Sequence, residues 1–405
     1  MEKKRINQID SRIDYGVILP VFLLSVIGML SVYVAFSHEP GELRSIPREM
    51  LRQGTWLLVG ALAVIVVMHF SSKVLWKLTP VFYGIGLVLM VLPLYFNNPA
   101  MVAATGSRNW VAIGSTSLFQ PSELMKIAYI LMLAYVVTMH NSTYTNRTVK
   151  SDFLLIGKML VVTLPIVILI KLQDDFGTML VFIAILGGVM LLSGISWKIL
   201  IPLILTVFLL GAFIIYLVMT DVGREILGKI GVRAYQFARI DAWLDPFHDT
   251  SKSSFQQSQG LLAIASGGLF GKGFNVSTIY IPVRESDMIF TVPAENFGFV
   301  GSTFIILLYF ILIYRMIRVT FDTNNEFYTY IATGIIMMIL FHVFENIGAN
   351  IGLLPLTGIP LPFISQGGTS LVGNLIGIGL ILSMRYQKKT DYELWQERRL
   401  KAMEN

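Results

Sequence analysis

The chain has 405 residues, 55% of them hydrophobic and 14% charged, and a net charge of +6 at pH 7. Soluble domains carry about 25% charged residues, so this composition, with a mean hydropathy of +0.69, marks an integral membrane protein. The absence of cysteine excludes disulfides, thiolate metal sites and a thiol nucleophile.

The N-terminus, "MEKKRINQIDSRIDYG", is basic and runs into an apolar stretch with no A-x-A-like cleavage site. It reads as an uncleaved first transmembrane helix. A helix needs about 20 mostly apolar residues to cross a bilayer. Ten segments qualify: 16–36, 54–70, 75–96, 119–140, 153–172, 176–194, 198–219, 289–317, 327–349 and 363–384. The predicted fold is an all-α polytopic membrane protein of about ten transmembrane helices, one membrane domain over 1–405.

The basic residues orient it. With both termini inside, the inner segments carry Lys73, Lys77, Arg147, Lys150, Lys198, Arg315, Arg318, Arg385 and the basic residues of both tails. The short outer loops carry only Arg44, Arg48, Arg52, Arg108 and Lys171. That asymmetry satisfies the positive-inside rule. Tails 1–15 and 385–405 are expected in the cytoplasm, and segments 220–288 and 350–362 outside. The net positive charge is then a topology signal, not a nucleic-acid signal.

The large outer loop, 220–288, is too mixed for a linker. Its stretch "REILGKIGVRAYQFARIDAWLDPF" interleaves Ile226, Phe237, Ile240 and Trp243 with Arg224, Lys229, Arg233 and Arg239. This predicts short amphipathic helices at the interface. Their arginines either face lipid headgroups or hold a phosphate.

Several ionisable groups sit at membrane depth, where they are costly and turn toward a partner or a cavity. In "FQPSELMKI", Pro121 and Ser122 open a helix, and Glu123 and Lys126 share one face. They form a structural ion pair or line a cavity. The hairpin "KLQDDFGTMLVF" brings Lys171, Asp174 and Asp175 to a helix start, where a carboxylate caps the dipole. "PAENFGFVGS" carries Glu295, and "FHVFENIGAN" carries His342 and Glu345, a spacing that defines no metal site without a third ligand. "GLLPLTGIPLPFISQGGTSLVGN" holds Pro355, Pro360, Pro362 and several glycines without a charge. It is not one regular helix, and such broken backbone at membrane depth lines a binding site or makes a tight turn. Finally "RESDMIF" crowds Arg284, Glu285 and Asp287 at the lip of the eighth span.

No GxSxG, HExxH or P-loop pattern occurs in a usable context. A transporter, a membrane-embedded transferase and a scaffold all fit so far, with the charges tilting toward a lipid-linked substrate at the outer face.

Five motifs, in order, carry a resemblance: "GSRNWVAIGSTSLFQPSELMK", "LQDDFGT", "GLLAIASGGLFGKGF", "ESDMIFTVPAENFGFVGS" and "NIGLLPLTGIPLPFISQGGTS". Together they resemble the SEDS family (shape, elongation, division and sporulation), and the similarity spans nearly the whole chain. The resemblance implies a peptidoglycan glycosyltransferase that polymerises lipid II outside the cytoplasmic membrane. Within the family the chain looks most like the rod-shape branch, less like the division and sporulation branches. The family's essential aspartate maps to Asp287, its A-E-E-x-G acid to Glu295 and its Q-P-D-L-G-T aspartate to Asp175. Asn296 replaces the second acid, and Gln366 stands where tyrosine is usual in the motif containing Ser365.

The expectation is that Asp287 acts as general base, with Arg108, Lys126, Asp175, Arg233, Arg239, Glu295 and Ser365 binding substrate. Cations would steady the departing undecaprenyl pyrophosphate, with a divalent ion, Mg2+ or Mn2+, as a possible helper and no metal-ligating residue assigned. A single inverting displacement suffices. The alternative activity is a lipid II flippase. The partners implied are a class B penicillin-binding protein and the elongation machinery. The apolar faces of the eighth and ninth spans, "TFIILLYFILIY" and "YIATGIIMMILF", are candidate docking faces for the transpeptidase helix, and the ninth carries the small residues Ala332, Thr333 and Gly334.

Overall fold

Asp14 starts the first helix: its carboxylate accepts the Gly16 N–H at 2.9 Å, and α1 runs over Tyr15–Ser37. The computed structural model describes residues 12–39, 45–114, 116–229, 234–248 and 254–404. After α1 come α2 (Ile46–Met68), α3 (Ser72–Tyr95), the short α4 (Pro99–Thr105) and a hairpin of β1 (Val111–Ile113) and β2 (Thr116–Phe119). Then follow α5 (Pro121–Thr143), α6 (Val149–Leu172), α7 (Phe176–Leu192) and α8 (Trp197–Val218). Next are α9 (Asp221–Lys229), α10 (Ala234–Leu244), α11 (Phe255–Gly267), α12 (Thr291–Phe321), α13 (Glu326–Asn350) and α14 (Gly368–Glu404).

Local chemistry sets the helix starts. Ser71, Thr148, Asp175, Ser196 and Asn325 each accept a backbone N–H of the turn they cap, and prolines open α2, α4 and α5. Among the described residues nine helices are long and apolar enough to cross a membrane, and α7 is a shorter apolar helix of 17 residues. These ten helices stand where the ten spans were expected, and the chain is an all-α polytopic membrane protein. The helices α5, α13 and α14 form the buried centre. At the opposite extreme, α8 buries only Leu200 and Val218.

One end of the bundle is tied by Asp14, which pairs with Arg315 of α12 at 2.8 Å and with Arg385 of α14. The opposite end carries α9, α10, α11 and the 352–367 loop, and this loop end positions the site.

The structure departs from expectation at three places. Helix α2 begins at Ile46, not near residue 54, so Arg48 and Arg52 lie in its first turns rather than in a loop. Pro47 opens that helix, and the Glu49–Arg52 pair at 3.3 Å lets a polar turn extend beyond the apolar zone. Segment 97–119 folds into α4 and the hairpin. Lastly, Ala332 and Gly334 are buried inside the bundle, not presented to a partner. A Cβ on Gly334 would come within 2.7 Å of Ile130. The small residues let α13 close on α5.

Helix α12 is broken. Gly298 has φ +62°, and the chain around it is not helical. The amides freed by the break are taken by the segment after α11: Phe299 N–H donates to Gly268 O at 2.9 Å and Val300 N–H to Leu269 O at 3.1 Å. This approach demands glycine, because a Cβ on Gly271 would fall 2.1 Å from Asn296 O. That contact explains Gly271, and a Cβ on Gly267 would likewise fall 2.1 Å from Ala294 O; the break leaves a short half-helix, Thr291–Phe297, at the loop end.

Candidate active site

The chain returns from α11 to α12 through residues 268–290, and Arg284 folds this return onto the half-helix. Its Nε donates to Thr291 Oγ1 at 2.9 Å, and its Nη1 to Ser277 Oγ at 2.5 Å. Its Nη2 donates to Thr291 O at 3.0 Å and to Glu295 Oε2 at 2.7 Å. Glu295 is fully buried. Its other oxygen, Oε1, accepts from Lys272 Nζ at 2.9 Å and from the backbone and hydroxyl of Thr278, both at 3.1 Å. Desolvating a carboxylate is costly unless it is paired and hydrogen-bonded, and Glu295 meets both conditions. The Arg284–Glu295 clamp is thus what holds "RESDMIF" at the lip of α12.

The next three residues are fixed through their carbonyls. Glu285 O accepts the Gln366 N–H at 2.8 Å. Ser286 O accepts Ser365 Oγ at 2.7 Å. Asp287 O accepts the side-chain amides of Asn346 at 2.8 Å and Asn350 at 2.9 Å. Two non-glycine residues in the left-handed region flank these contacts, Val283 at φ +53° and Phe363 at φ +66°. A β-branched residue there is strained, and such strain persists where surrounding contacts over-determine the backbone. The broken "LPFISQGG" loop therefore grips the Asp287 backbone. Ser365 serves that grip, since its hydroxyl also accepts the Leu361 N–H at 2.8 Å. Gln366 extends it to α2, donating to Glu49 Oε2 at 3.0 Å.

The carboxyl of Asp287 is held more loosely than its backbone. It is half-buried, and its side-chain donor is Gln256, at 3.3 Å from Oδ1. Burial pushes the carboxyl up to about 6, assisted by repulsion from Glu285 and opposed by Arg239 and the Gln256 hydrogen bond. Two neighbouring acids are thus set apart by their surroundings: Glu295 is saturated with donors, whereas Asp287 is poised to exchange a proton.

Arg239 of α10 reaches the same place. Its Nη1 donates to Thr357 O at 3.1 Å, while the Thr357 hydroxyl donates to Glu345 Oε1. Arg239 is exposed and acts electrostatically on both Asp287 and Glu345. Trp243 Nε1 donates to Gly352 O at 3.1 Å and fixes α10 against the loop. Arg224 and Asp241 join α9 to α10.

The other predicted residues lie in two further groups. Asp175 caps α7 and binds Thr178 Oγ1 at 2.8 Å, Asn109 Nδ2 at 2.6 Å and Gln120 Nε2 at 3.2 Å. It ties the 107–120 segment to α7. Beside it the Arg108 N–H donates to Gln173 O at 2.7 Å, leaving an exposed guanidinium. Deeper, Lys126 Nζ lies 2.7 Å from Glu123 Oε2 and 3.0 Å from His342 Nε2, with both members of the ion pair buried. His342 Nδ1 lies 2.6 Å from Met338 O. The proton is therefore on Nδ1, and Lys126 donates to Nε2. Arg233 lies outside the described residues. Sequence reasoning did not pick out Asn346, Asn350, Gln256 or Glu49. The amide pair at positions 346 and 350, four apart at membrane depth, was the available signal.

This is a polytopic helical membrane protein with a half-buried carboxylate fixed at the lip of a broken helix. The family profile of the cell cycle proteins FtsW, RodA and SpoVE matches residues 15–390, and the chain belongs to that SEDS family. It is 32% identical over 389 residues to stage V sporulation protein E of Bacillus subtilis, covering 93% of this chain and 98% of that one. It is 30% identical over 377 residues to the peptidoglycan glycosyltransferase MrdB of Escherichia coli, covering 91% and 94%. Among solved structures, the rod shape determining protein RodA of Thermus thermophilus superposes with a TM-score of 0.63 at 27% identity over 92% of this chain and 96% of that one. A chain from a peptidoglycan synthase complex that coordinates polymerization and crosslinking superposes with a TM-score of 0.73 at 25% identity, covering 93% and 98%.

Proposed function

We propose that this chain is a peptidoglycan glycosyltransferase that polymerises lipid II into glycan strands, with its loop end at the outer face of the cytoplasmic membrane. The observation that carries the reading is Asp287: a backbone pinned on three carbonyls and a carboxyl raised to about 6. Such a group is ionised at neutral pH yet basic enough to take a proton.

In the proposed reaction the 4-hydroxyl of the acceptor GlcNAc gives its proton to the Asp287 carboxylate. The freed oxygen bonds to C1 of the donor MurNAc, and the bond from C1 to the pyrophosphate oxygen breaks. Undecaprenyl pyrophosphate leaves with the electron pair. The donor linkage is α and the product β, so one displacement inverts the centre. Arg239 faces the departing charge, and Arg108 and Arg233 are proposed as further phosphate contacts. Lys126, Asp175, Glu295 and Ser365 act behind them, holding the helices and loops that shape the substrate site. A divalent ion such as Mg2+ or Mn2+ would neutralise pyrophosphate charge. Among the described residues no three His, Asp or Glu side chains converge to hold one, so no step is routed through a metal.

The proposed orientation puts both termini in the cytoplasm. The basic inner segments support it, and labelling of single introduced cysteines tests it cleanly, since the chain has none of its own. We also propose a role in elongation, resting on the motif resemblance to the rod-shape branch. Complementation of strains depleted of their elongation, division or sporulation member tests that choice. The proposed partner is a class B penicillin-binding protein within the elongation machinery. The exposed apolar stripe of Leu307, Phe310, Ile311 and Tyr314 on α12 offers its transmembrane helix a face.

The deciding experiment incubates the purified protein with lipid II alone and looks for glycan polymer on a gel. Polymer supports the enzyme. Translocation across a vesicle without polymer would point to a flippase, and neither would point to a scaffold.

A further inference from the structure

Beside the site lies an apolar groove of about 510 Å3, running lengthwise between α1 and α12. Leu30 and Val34 of α1 form one wall, Val300 and Phe304 of α12 the other, and Phe270 and Phe274 roof the loop end. The polar side chain at that end is already spent: Asn296 donates to Val276 O at 3.0 Å and accepts the Val276 N–H at 3.3 Å. The groove therefore offers packing without hydrogen bonding.

Its shape selects a thin occupant. A helix with its side chains is about 10–12 Å across, too wide for a slot of this volume narrowed by aromatic rings. The wall on α12 runs from Val292 to Ile305 across the break at Gly298, and its two helical pieces, 292–297 and 299–305, rise by roughly 16 Å together. One leaflet of a bilayer is about 15 Å deep, so the groove follows a chain through one leaflet.

The groove also continues into the site. On the half-helix Thr291–Phe297, Val292 and Asn296 line the groove, while Thr291 and Glu295 anchor Arg284.

We propose that this groove holds the isoprenoid chain of the lipid-linked substrate. The proposal rests on the lipid II reading above. It assigns α1 and the break at Gly298 a substrate-positioning role. The chain would run along α12 and deliver its pyrophosphate to the lip where Asp287 and Arg239 wait. Lipid solvates an isoprenoid as well as protein does, so the gain is in packing alone and is modest.

The test is a chain-length comparison. Val300 is 54% exposed and has no part in the chemistry, so Val300→Trp fills the groove from the membrane side. For lipid II with a long isoprenoid the variant should raise KM roughly five-fold, the size of one lost packing contact, with kcat unchanged. A short-chain lipid II analogue should be used equally well by both proteins. Equal KM shifts for both chain lengths, or none for either, overturn the proposal. A photo-crosslinking residue at position 300, in vesicles of phospholipid doped with long-chain polyprenyl phosphate, gives a second measurement. Capture of the polyprenyl phosphate ahead of its mole fraction is expected. Capture of phospholipid alone, or of a partner's helix, overturns it. A wild-type protein that makes no polymer defeats the enzymatic reading instead, and the crosslinking result still judges the groove.

Discussion

Asn346 donates its side-chain amide to the backbone carbonyl of Asp287 at 2.8 Å, and Asn350, one turn on, does the same at 2.9 Å. The proposed base is thus positioned by a helix that carries none of its own motif. Asn346 also donates to Ile359 O at 2.8 Å, so one amide joins the aspartate to the broken loop. Replacing Asn346 with Ala should lower kcat about ten- to a hundred-fold, because a small misplacement of a reacting group is costly. It should also destabilise the fold by about 1–3 kcal/mol, since a buried carbonyl loses a donor. Steady-state kinetics beside thermal melts check this. A melt shift with unchanged kcat per folded molecule would confine Asn346 to packing.

Asp287→Asn should reduce polymerisation about 100- to 10,000-fold, the range for a general base, without loss of folding. The stability sign is the reverse of the usual carboxylate case. The folded carboxyl is raised from 3.8 to about 6, so the native state binds the proton more tightly than the unfolded chain does. This group favours the fold below pH 4 and loses that contribution as pH rises through about 6. The Asn variant should therefore melt slightly higher than wild type at neutral pH. A lower melting temperature would show that the charge stabilises the site.

The same carboxyl dictates a pH profile. The wild-type kcat/KM should fall below about pH 6, as Asp287 becomes protonated and loses its capacity to accept. Neutralising the exposed Arg239 as Arg239→Gln removes a cation that favours the charged form, so this limb should move to higher pH. An acidic limb unmoved by that change would uncouple Arg239 from Asp287.

Much of this was legible beforehand, and the exceptions have physical causes. Membrane spans are written in hydropathy, so all ten helices appear in their expected order, with α2 starting about two turns before its apolar run. The motif resemblance singles out Asp287. What remained hidden depends on the chain folding back. Arg284 and Glu295 are separated by eleven residues, and their clamp exists only because the return segment lies along the half-helix. Ser365 and Glu295 read as substrate ligands, yet their polar atoms bind protein. The stripe of Ala332 and Gly334 showed that a helix approaches closely, but a small residue does not say which helix comes. It is α5, through Ile130.

The Glu123–Lys126 pair tests structure against chemistry. Both side chains are buried, and His342 supplies Lys126 with a second acceptor. Glu123→Gln or Lys126→Met leaves one charge stranded and should cost about 3–5 kcal/mol. The double substitution should recover much of that loss. If the single variants melt like wild type yet are inactive, the pair belongs to the substrate cavity.

The last prediction concerns the transpeptidase. With Ala332 and Gly334 inside the bundle, the surface we propose for a partner helix is the outward stripe of α12, the eighth span. Phe310 is 69% exposed there and Tyr314 56%. Helices in a bilayer associate by shape rather than by expelling water, so altering that shape should weaken docking without touching the site. Phe310→Ala combined with Ile311→Trp should cut co-purification of the cognate class B penicillin-binding protein several-fold and lower partner-stimulated polymerisation to match. The activity of the isolated chain should hold. A Trp at Ile204, on the sparsely packed α8, provides the control and should leave binding intact. If the α12 changes are silent while the α8 change breaks the complex, the partner docks on α8, and the small residues of α13 and the stripe of α12 serve the bundle and its lipid alone.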